Sequence, residues 1–296
     1  MPREILTVLT RPSRDVGAGQ PDGPAFRFAD PADPMLSALD LAATRGDGIF
    51  ETISVAGGSP QALDHHLRRF ARSAAMLDLP VPDEQAWRDA VHATAQAIDP
   101  VPEAFVKTVL TRGIEGTGIP TGWCYGAPSP DFTRERTAGI SVVLLDRGVR
   151  HDVERTAPWL LAGAKTLSYA VNRAAVREAV RRGADDVVFV SSDGIVLEGP
   201  TSTLVYRRGD ALLTPGVGLG ILDGTTQASL FRWATQQGLT TGFELTTPDI
   251  LRAADAAWLV SSVRYAAPIR AIDGVPMAVD APFTIAANDW LLALRD

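Results

Sequence analysis

Lys165 is one of only two lysines in a chain that carries 26 arginines. Arginine keeps its proton, whereas a desolvated lysine gives it up and becomes an amine nucleophile or a base. The run Leu161-Ala162-Gly163-Ala164-Lys165 is small and apolar, and burial there would lower the pKa of the amine. The same residue also suits an ordinary strand-to-helix junction, so its context leaves two readings open. Glu198, at an expected strand end ahead of Gly199-Pro200, is either a turn carboxylate or the partner of a positive group. Gly224-Thr225-Thr226 stands where a helix over about 226–237 is expected to begin. Free N–H groups, the helix dipole and two hydroxyls at such a place suit a phosphate, although a threonine there also serves as a simple cap. His66 and Arg69 are three apart and share one side of a helix; alone, Arg69 reads as a surface charge.

These residues need elements to hold them. Ile49 to Val55 is rich in strand formers, Ala56-Gly57-Gly58-Ser59 reads as a hairpin turn, and a return strand reaches Leu63. Asp64 is placed to cap a helix running to about Leu77, with Leu67, Phe70, Ala71 and Ala74 on its apolar face. A second amphipathic helix is expected over about 83–98, with Trp87, Val91 and Ile98 inward. Phe105 to Thr111 alternates as a strand, with Lys107 on one face and Arg112-Gly113 closing it. Further strands are expected at 5–9, 123–127, 140–145, 187–190, 195–198, 203–206 and 258–260. Helices are expected at about 170–182 and 283–294, and a loop over 11–34. The segment Pro128 to Arg136 breaks all periodicity and reads as a connection.

At 296 residues, 46% hydrophobic and 21% charged, the chain has globular composition and room for two domains. The division expected is a small N-terminal α+β domain over 1–130, a linker over 131–137, and a larger, β-rich C-terminal domain with helices over 138–296. A net charge of −7 argues against nucleic acid or an anionic membrane as the main partner. With one cysteine and four scattered histidines, no disulfide within the chain and no metal cluster is expected. The start Met1-Pro2-Arg3-Glu4 lacks the apolar core of a signal peptide, and no apolar run approaches a membrane span. The cytoplasm is the expected location.

Four separated pieces fit one pattern: Arg45-Gly46-Asp47-Gly48-Ile49-Phe50-Glu51-Thr52, His66-Leu67-Arg68-Arg69-Phe70, Lys165-Thr166-Leu167, and Leu197-Glu198-Gly199 with Gly224-Thr225-Thr226. Together they resemble the class-IV pyridoxal-phosphate enzymes of fold type IV, the D-amino-acid aminotransferase-like fold. That family includes branched-chain aminotransferases, D-amino-acid aminotransferases and 4-amino-4-deoxychorismate lyases. The resemblance implies pyridoxal 5'-phosphate as cofactor, with Lys165 holding it as a Schiff base and moving protons. It implies that Glu198 pairs with the pyridine nitrogen and keeps the ring an electron sink. It gives the cofactor phosphate to Arg69, Thr225, Thr226 and Ser262. It also implies a homodimer acting on a small molecule, with the active site between the domains.

The substrate side departs from the aminotransferases. Thr203 stands where family members often have Asn. Tyr169 lies four residues after the lysine, where aminotransferases often have Tyr at five. The strand Val106-Lys107-Thr108-Val109-Leu110-Thr111-Arg112-Gly113 resembles that of aminodeoxychorismate lyases, and a Tyr-x-Arg arrangement common in branched-chain aminotransferases is not found there. On this resemblance Thr52, Lys107 and Arg112 are the expected substrate contacts, with the two cations receiving carboxylates. The expected activity is lysis of 4-amino-4-deoxychorismate, with transamination of D- or branched-chain amino acids as the alternative.

Overall fold

Alternation along residues 48–56 sends Ile49, Glu51 and Ile53 to one face, where all three are buried, and Phe50 and Thr52 to the other, where both are half-buried. The computed structural model in which this is seen describes residues 4–14 and 23–295. Residues 15–22 of the expected loop lie outside that range. The chain divides into two compact units. The first comprises residues 1–130, 164–169 and 294–296; the second, 131–163 and 170–293.

The first unit is built from β1 (Ile5–Leu9), β2 (Phe26–Ala29), α1 (Leu41–Arg45), β3 (Gly48–Ala56), β4 (Ser59–Pro60), α2 (Leu63–Met76), α3 (Glu84–Ala97), β5 (Glu103–Thr111) and β6 (Thr121–Pro128). Its strands run β2-β1-β6-β5-β3-β4, with antiparallel neighbours throughout. Ile49, Ile53, Val106 and Leu110 line the face covered by α2 and α3, where Phe70 and Trp87 meet edge to face at 4.9 Å. The opposite face carries Phe50, Thr52, Lys107, Trp123 and Tyr125, with Thr52 paired to Lys107 and Lys107 to Tyr125. β2 falls inside the expected loop; it is a four-residue strand whose partner β1 is some twenty residues back. Asp64 does not cap α2. The cap position is Ala62, in a left-handed conformation, and Asp64 sits in the first turn paired with Arg88 at 2.7 Å.

The second unit contains α4 (Thr133–Ala138), β7 (Ile140–Asp146), α5 (Val153–Thr156), α6 (Ala170–Arg181), β8 (Asp186–Val190), β9 (Thr203–Arg208), β10 (Ala211–Pro215), α7 (Thr225–Gln236), β11 (Thr240–Glu244), α8 (Pro248–Arg252), β12 (Ala256–Ser261), β13 (Tyr265–Ile272), β14 (Val275–Pro276) and α9 (Ala281–Ala293). Its sheet runs β11-β10-β9-β12-β13-β7-β8, with β14 beside β13. Val205, Trp258, Val260 and Ala266 pack against Leu230, Trp233 and Ala287 of α7 and α9. Leu204, Tyr206, Leu259 and Ile269 form the core on the other face.

The expected linker, 131–137, is not a bare connection. It belongs to the second unit and contains most of α4. The expected return over 195–198 pairs with the end of β8 through the bridge between Val190 and Val196, with Leu197 N–H donating to Phe189 O at 2.8 Å and Phe189 N–H to Glu198 O at 2.9 Å. Residues 164–169, expected within the C-terminal domain, group with the first unit. Among the described residues no helix is long and apolar enough to cross a membrane.

Candidate active site

Lys165 lies on a short extended segment laid along the start of β3. Phe50 N–H donates to the Lys165 carbonyl at 3.0 Å, and Leu167 N–H to the Gly48 carbonyl at 2.8 Å, with Ile49 and Thr166 bridged between them. On its other side, Lys165 N–H donates to the hydroxyl of Ser73 on α2 at 3.1 Å. The backbone under the lysine is therefore held by a strand and a helix of the same unit. Its side chain is half-buried, and Nζ stands 4.5 Å from the centroid of the Phe50 ring, a cation–π placement. Tyr169 meets the same ring edge to face at 5.5 Å.

Gly48 permits this close approach. A Cβ there would meet Leu110 O at 2.6 Å and Leu167 Cδ1 at 2.8 Å. Only a residue without a side chain lets the lysine segment pair at this point.

Arg69 is buried on α2 and directed at β3. Its Nε donates to Glu51 Oε1 at 2.7 Å and its Nη2 to Oε2 at 2.5 Å, while His66 Nδ1 lies 2.8 Å from the same Oε2. Burial pushes the Glu51 carboxyl up; the Arg69 charge and hydrogen bonds and those of His66 outweigh it, leaving the carboxyl well below the usual range. Burial also lowers His66, against the pull of Glu51. Arg69 is thus not the surface charge that helical spacing alone allows. It is a buried guanidinium gripped by the Glu51 carboxylate.

On the opposite sheet face, Lys107 is exposed and stands directly across from half-buried Thr52. Tyr125, next in register, is pushed up to about 12 by burial and by the neighbouring Glu4 carboxylate. Arg112 is elsewhere. Its Nε and Nη2 grip Asp47 at 2.6 and 3.2 Å, Nη2 also reaches Leu77 O at 2.6 Å, and Nη1 reaches Asp78 O at 3.1 Å. The expectation that Arg112 receives a substrate carboxylate thus meets a guanidinium whose three nitrogens already donate to the protein.

In the second unit, Glu198 follows the bridge at Val196. Its carbonyl accepts from Phe189 N–H at 2.9 Å, and Asn172 of α6 holds the next turn through Pro200 O at 2.7 Å. The carboxylate is oriented by Leu222 N–H, which donates to Oε1 at 3.2 Å. Two residues later Gly224 opens α7, with no side-chain cap. A Cβ at Gly224 would lie 2.3 Å from Thr203 Oγ1, so the helix starts hard against β9. Thr225 and Thr226 are buried in its first turn. Ser262, on the β12–β13 turn, brings its Oγ to 3.4 Å from Thr225 Oγ1. That turn is braced by Arg136 of α4, which donates to Arg264 O at 3.0 Å and Val263 O at 3.1 Å and stacks over the Tyr265 ring at 4.8 Å.

Glu51, Asp47, Ser73 and Arg136 were not singled out from the sequence. For Glu51 a signal existed: a carboxylate in the inward register between Ile49 and Ile53.

The description amino-transferase class IV matches residues 48–272. The bifunctional aminodeoxychorismate lyase / D-amino acid transaminase of Mycobacterium tuberculosis is 43% identical over 254 residues, 82% of this chain and 88% of that protein. The aminodeoxychorismate lyase of Bacillus subtilis is 28% identical over 84% of this chain and 85% of that protein. Among solved structures, the fold IV-transaminase CpuTA1 from Curtobacterium pusillum has a TM-score of 0.93 and 51% identity, covering 98% of this chain and 99% of that one. The PLP-bound form of a hypothetical aminotransferase from Mycobacterium tuberculosis has a TM-score of 0.87 and 38% identity, with 98% and 99% covered. The groups present suit pyridoxal phosphate in kind: an amine for its aldehyde, a carboxylate for its ring nitrogen, and hydroxyls at a helix start with no side-chain cap for its phosphate. The match over most of its length places this chain among the class-IV aminotransferases, pyridoxal-phosphate-dependent enzymes of fold type IV.

Proposed function

We propose that this enzyme is a lyase converting 4-amino-4-deoxychorismate to 4-aminobenzoate and pyruvate, a step that serves folate synthesis. The observation that carries the reading is the pairing of Thr52 with Lys107 on the sheet face that bears Phe50, the ring beside Lys165 Nζ. A second cation and a hydroxyl on the lysine's own face suit a substrate with two carboxylates. An apolar branched-chain substrate would leave Lys107 without a role. The 43% identity to a relative named for lyase activity supports the same choice.

Bound pyridoxal phosphate supplies the electron sink for a carbanion formed next to the substrate nitrogen. Lys165 takes the proton from the ring carbon that bears the amine. Glu198 would pair with the pyridine nitrogen and keep it protonated. Arg69, Thr225, Thr226 and Ser262 would hold the phosphate, and Thr52 and Lys107 would orient the substrate. Cleavage of the bond between the neighbouring ring carbon and the ether oxygen aromatises the ring and releases the enol of pyruvate, which becomes pyruvate on protonation of its methylene carbon. The enzyme acts as a homodimer, which light scattering on the purified protein checks.

Transamination is the second reading, favoured by the 51% identity to a protein described as a transaminase and by the second activity in the name of the Mycobacterium tuberculosis relative. Lys165 would then carry a proton between the carbons on either side of the nitrogen.

The test is release of 4-aminobenzoate, followed by fluorescence, from enzymatically generated aminodeoxychorismate. Turnover that disappears in Lys165→Ala supports the lyase. No release from protein that retains the visible absorbance of lysine-bound cofactor sinks it. Conversion of cofactor to its amine form by a panel of D- and L-amino acids would then identify the transaminase.

A further inference from the structure

We infer that Arg112 and Asp47 act as a pair that positions Lys165, rather than as part of the substrate pocket. The inference deepens the reading of Lys165 as the cofactor lysine and rests on it.

Besides the pairing of Phe50 N–H with the Lys165 carbonyl on β3, the lysine segment has two supports, and Arg112 holds both. One support is the turn before β3: Leu167 N–H donates to Gly48 O at 2.8 Å and Ser168 Oγ to Gly46 O at 3.3 Å. Asp47 lies between those two acceptors. Arg112 grips its carboxylate from two nitrogens, and Arg112 N–H donates to the Asp47 carbonyl at 3.2 Å. The other support is α2, whose Ser73 hydroxyl accepts from Lys165 N–H at 3.1 Å. One turn further along, Leu77 N–H donates to Ser73 O at 3.3 Å, and Arg112 takes the carbonyls of Leu77 and Asp78. A guanidinium at the C-terminal end of a helix is favoured by the dipole and satisfies carbonyls left over by the last turn.

The guanidinium is therefore a three-way tie among the end of β5, the turn at 46–48 and the end of α2. Lysine in its place would keep the charge and lose the fork that reaches all three. A small displacement of either support moves the backbone that aims Nζ, and misplacement of a reacting group costs rate without weakening substrate binding.

The test is amide hydrogen exchange on the cofactor-loaded protein, read for the peptide covering 164–169 against a peptide covering 84–97. The variants are Asp47→Asn, Arg112→Gln and the double variant, with Lys165→Ala alongside. Each single variant is expected to speed exchange in 164–169 about five-fold, leave 84–97 unchanged, and add nothing in the double variant. With whichever substrate the protein turns over, kcat falls and KM stays. Should Arg112→Gln fail to fold, Arg112→Lys takes its place, and Asp47→Asn, which keeps the shape of the turn, decides alone.

Unchanged exchange at 164–169 in the two variants overturns the proposal. So does a rise in KM with Arg112→Gln that Asp47→Asn does not share, which would return Arg112 to the substrate. Retention of the visible cofactor absorbance in Lys165→Ala would remove Lys165 as the cofactor lysine, and with it the purpose assigned to the pair. The exchange result still reports the tie itself, so the two failures are told apart.

Discussion

Glu51 and Arg69 face each other across the β3–α2 interface through two parallel hydrogen bonds, with both side chains almost fully shielded from water. A buried pair of this kind adds little over an apolar pair of the same size, but removing one partner strands a charge. Arg69→Ala or Glu51→Ala alone is expected to lose about 3–5 kcal/mol of unfolding free energy. Glu51→Leu combined with Arg69→Met should regain much of that loss. Urea unfolding of the three variants checks this; a double variant as damaged as the singles would show that the pair does not act as a unit.

The same site makes the protein sensitive to acid. His66 is held neutral by burial, so its folded pKa lies below the ordinary value of about 6.5, and an unfolded chain binds that proton first. Stability from His66 is present above that value and declines as pH falls through it. Glu51, also depressed, adds a second decline below the ordinary carboxylate range. The melting temperature is expected to begin dropping within about one unit of pH 6.5, and His66→Gln should remove that first drop while leaving the deeper one. A wild-type profile flat to the carboxylate range would contradict the assignment.

Glu198→Gln removes a negative charge while keeping the shape that Leu222 N–H holds. If that charge keeps the pyridine nitrogen protonated, kcat should fall by about 10²–10³ while the lysine still binds the cofactor. Absorbance of the loaded variant separates the two effects. A variant with normal turnover would exclude Glu198 from that role.

Gly48→Ala sets a methyl group against Leu110 O and the Leu167 side chain. Overpacking of this kind costs about 1–3 kcal/mol, and here the strain falls on the lysine segment. Slower formation of the visible absorbance on adding pyridoxal phosphate to cofactor-depleted protein is expected, beyond any change in melting temperature. Gly58→Ala, which opens into free space at its Cβ though at positive φ, is the control for backbone effects alone.

Local pattern was enough for elements whose own residues decide them. β3, α2, α3, β5 and α7 lie within a few residues of where periodicity puts them, because burial of one face is written into each. The family was legible in the type and order of residues that include Lys165, Glu198 and the threonines at the start of α7. What escaped were relations between distant residues. Nothing near Arg112 announces Asp47, 65 positions earlier, whose carboxylate it grips. Pro128, Pro130 and the charges that follow hid α4, a helix stabilised by what Arg136 does to a turn more than a hundred residues away. Asp64 met every local condition for a cap and lost to Ala62, whose backbone makes the turn by itself.

The placement of residues 164–169 with the first unit has a consequence for how the enzyme is made. When residue 130 has just been added to the growing chain, the strand formers of that unit are complete, yet residues 164–169 have not been synthesised. At about 5–20 residues per second, a few seconds separate synthesis of the last strand of that sheet from synthesis of Lys165. The edge at Gly48 is therefore filled last among the pairings of that sheet, by a stretch of chain made after every one of its strands.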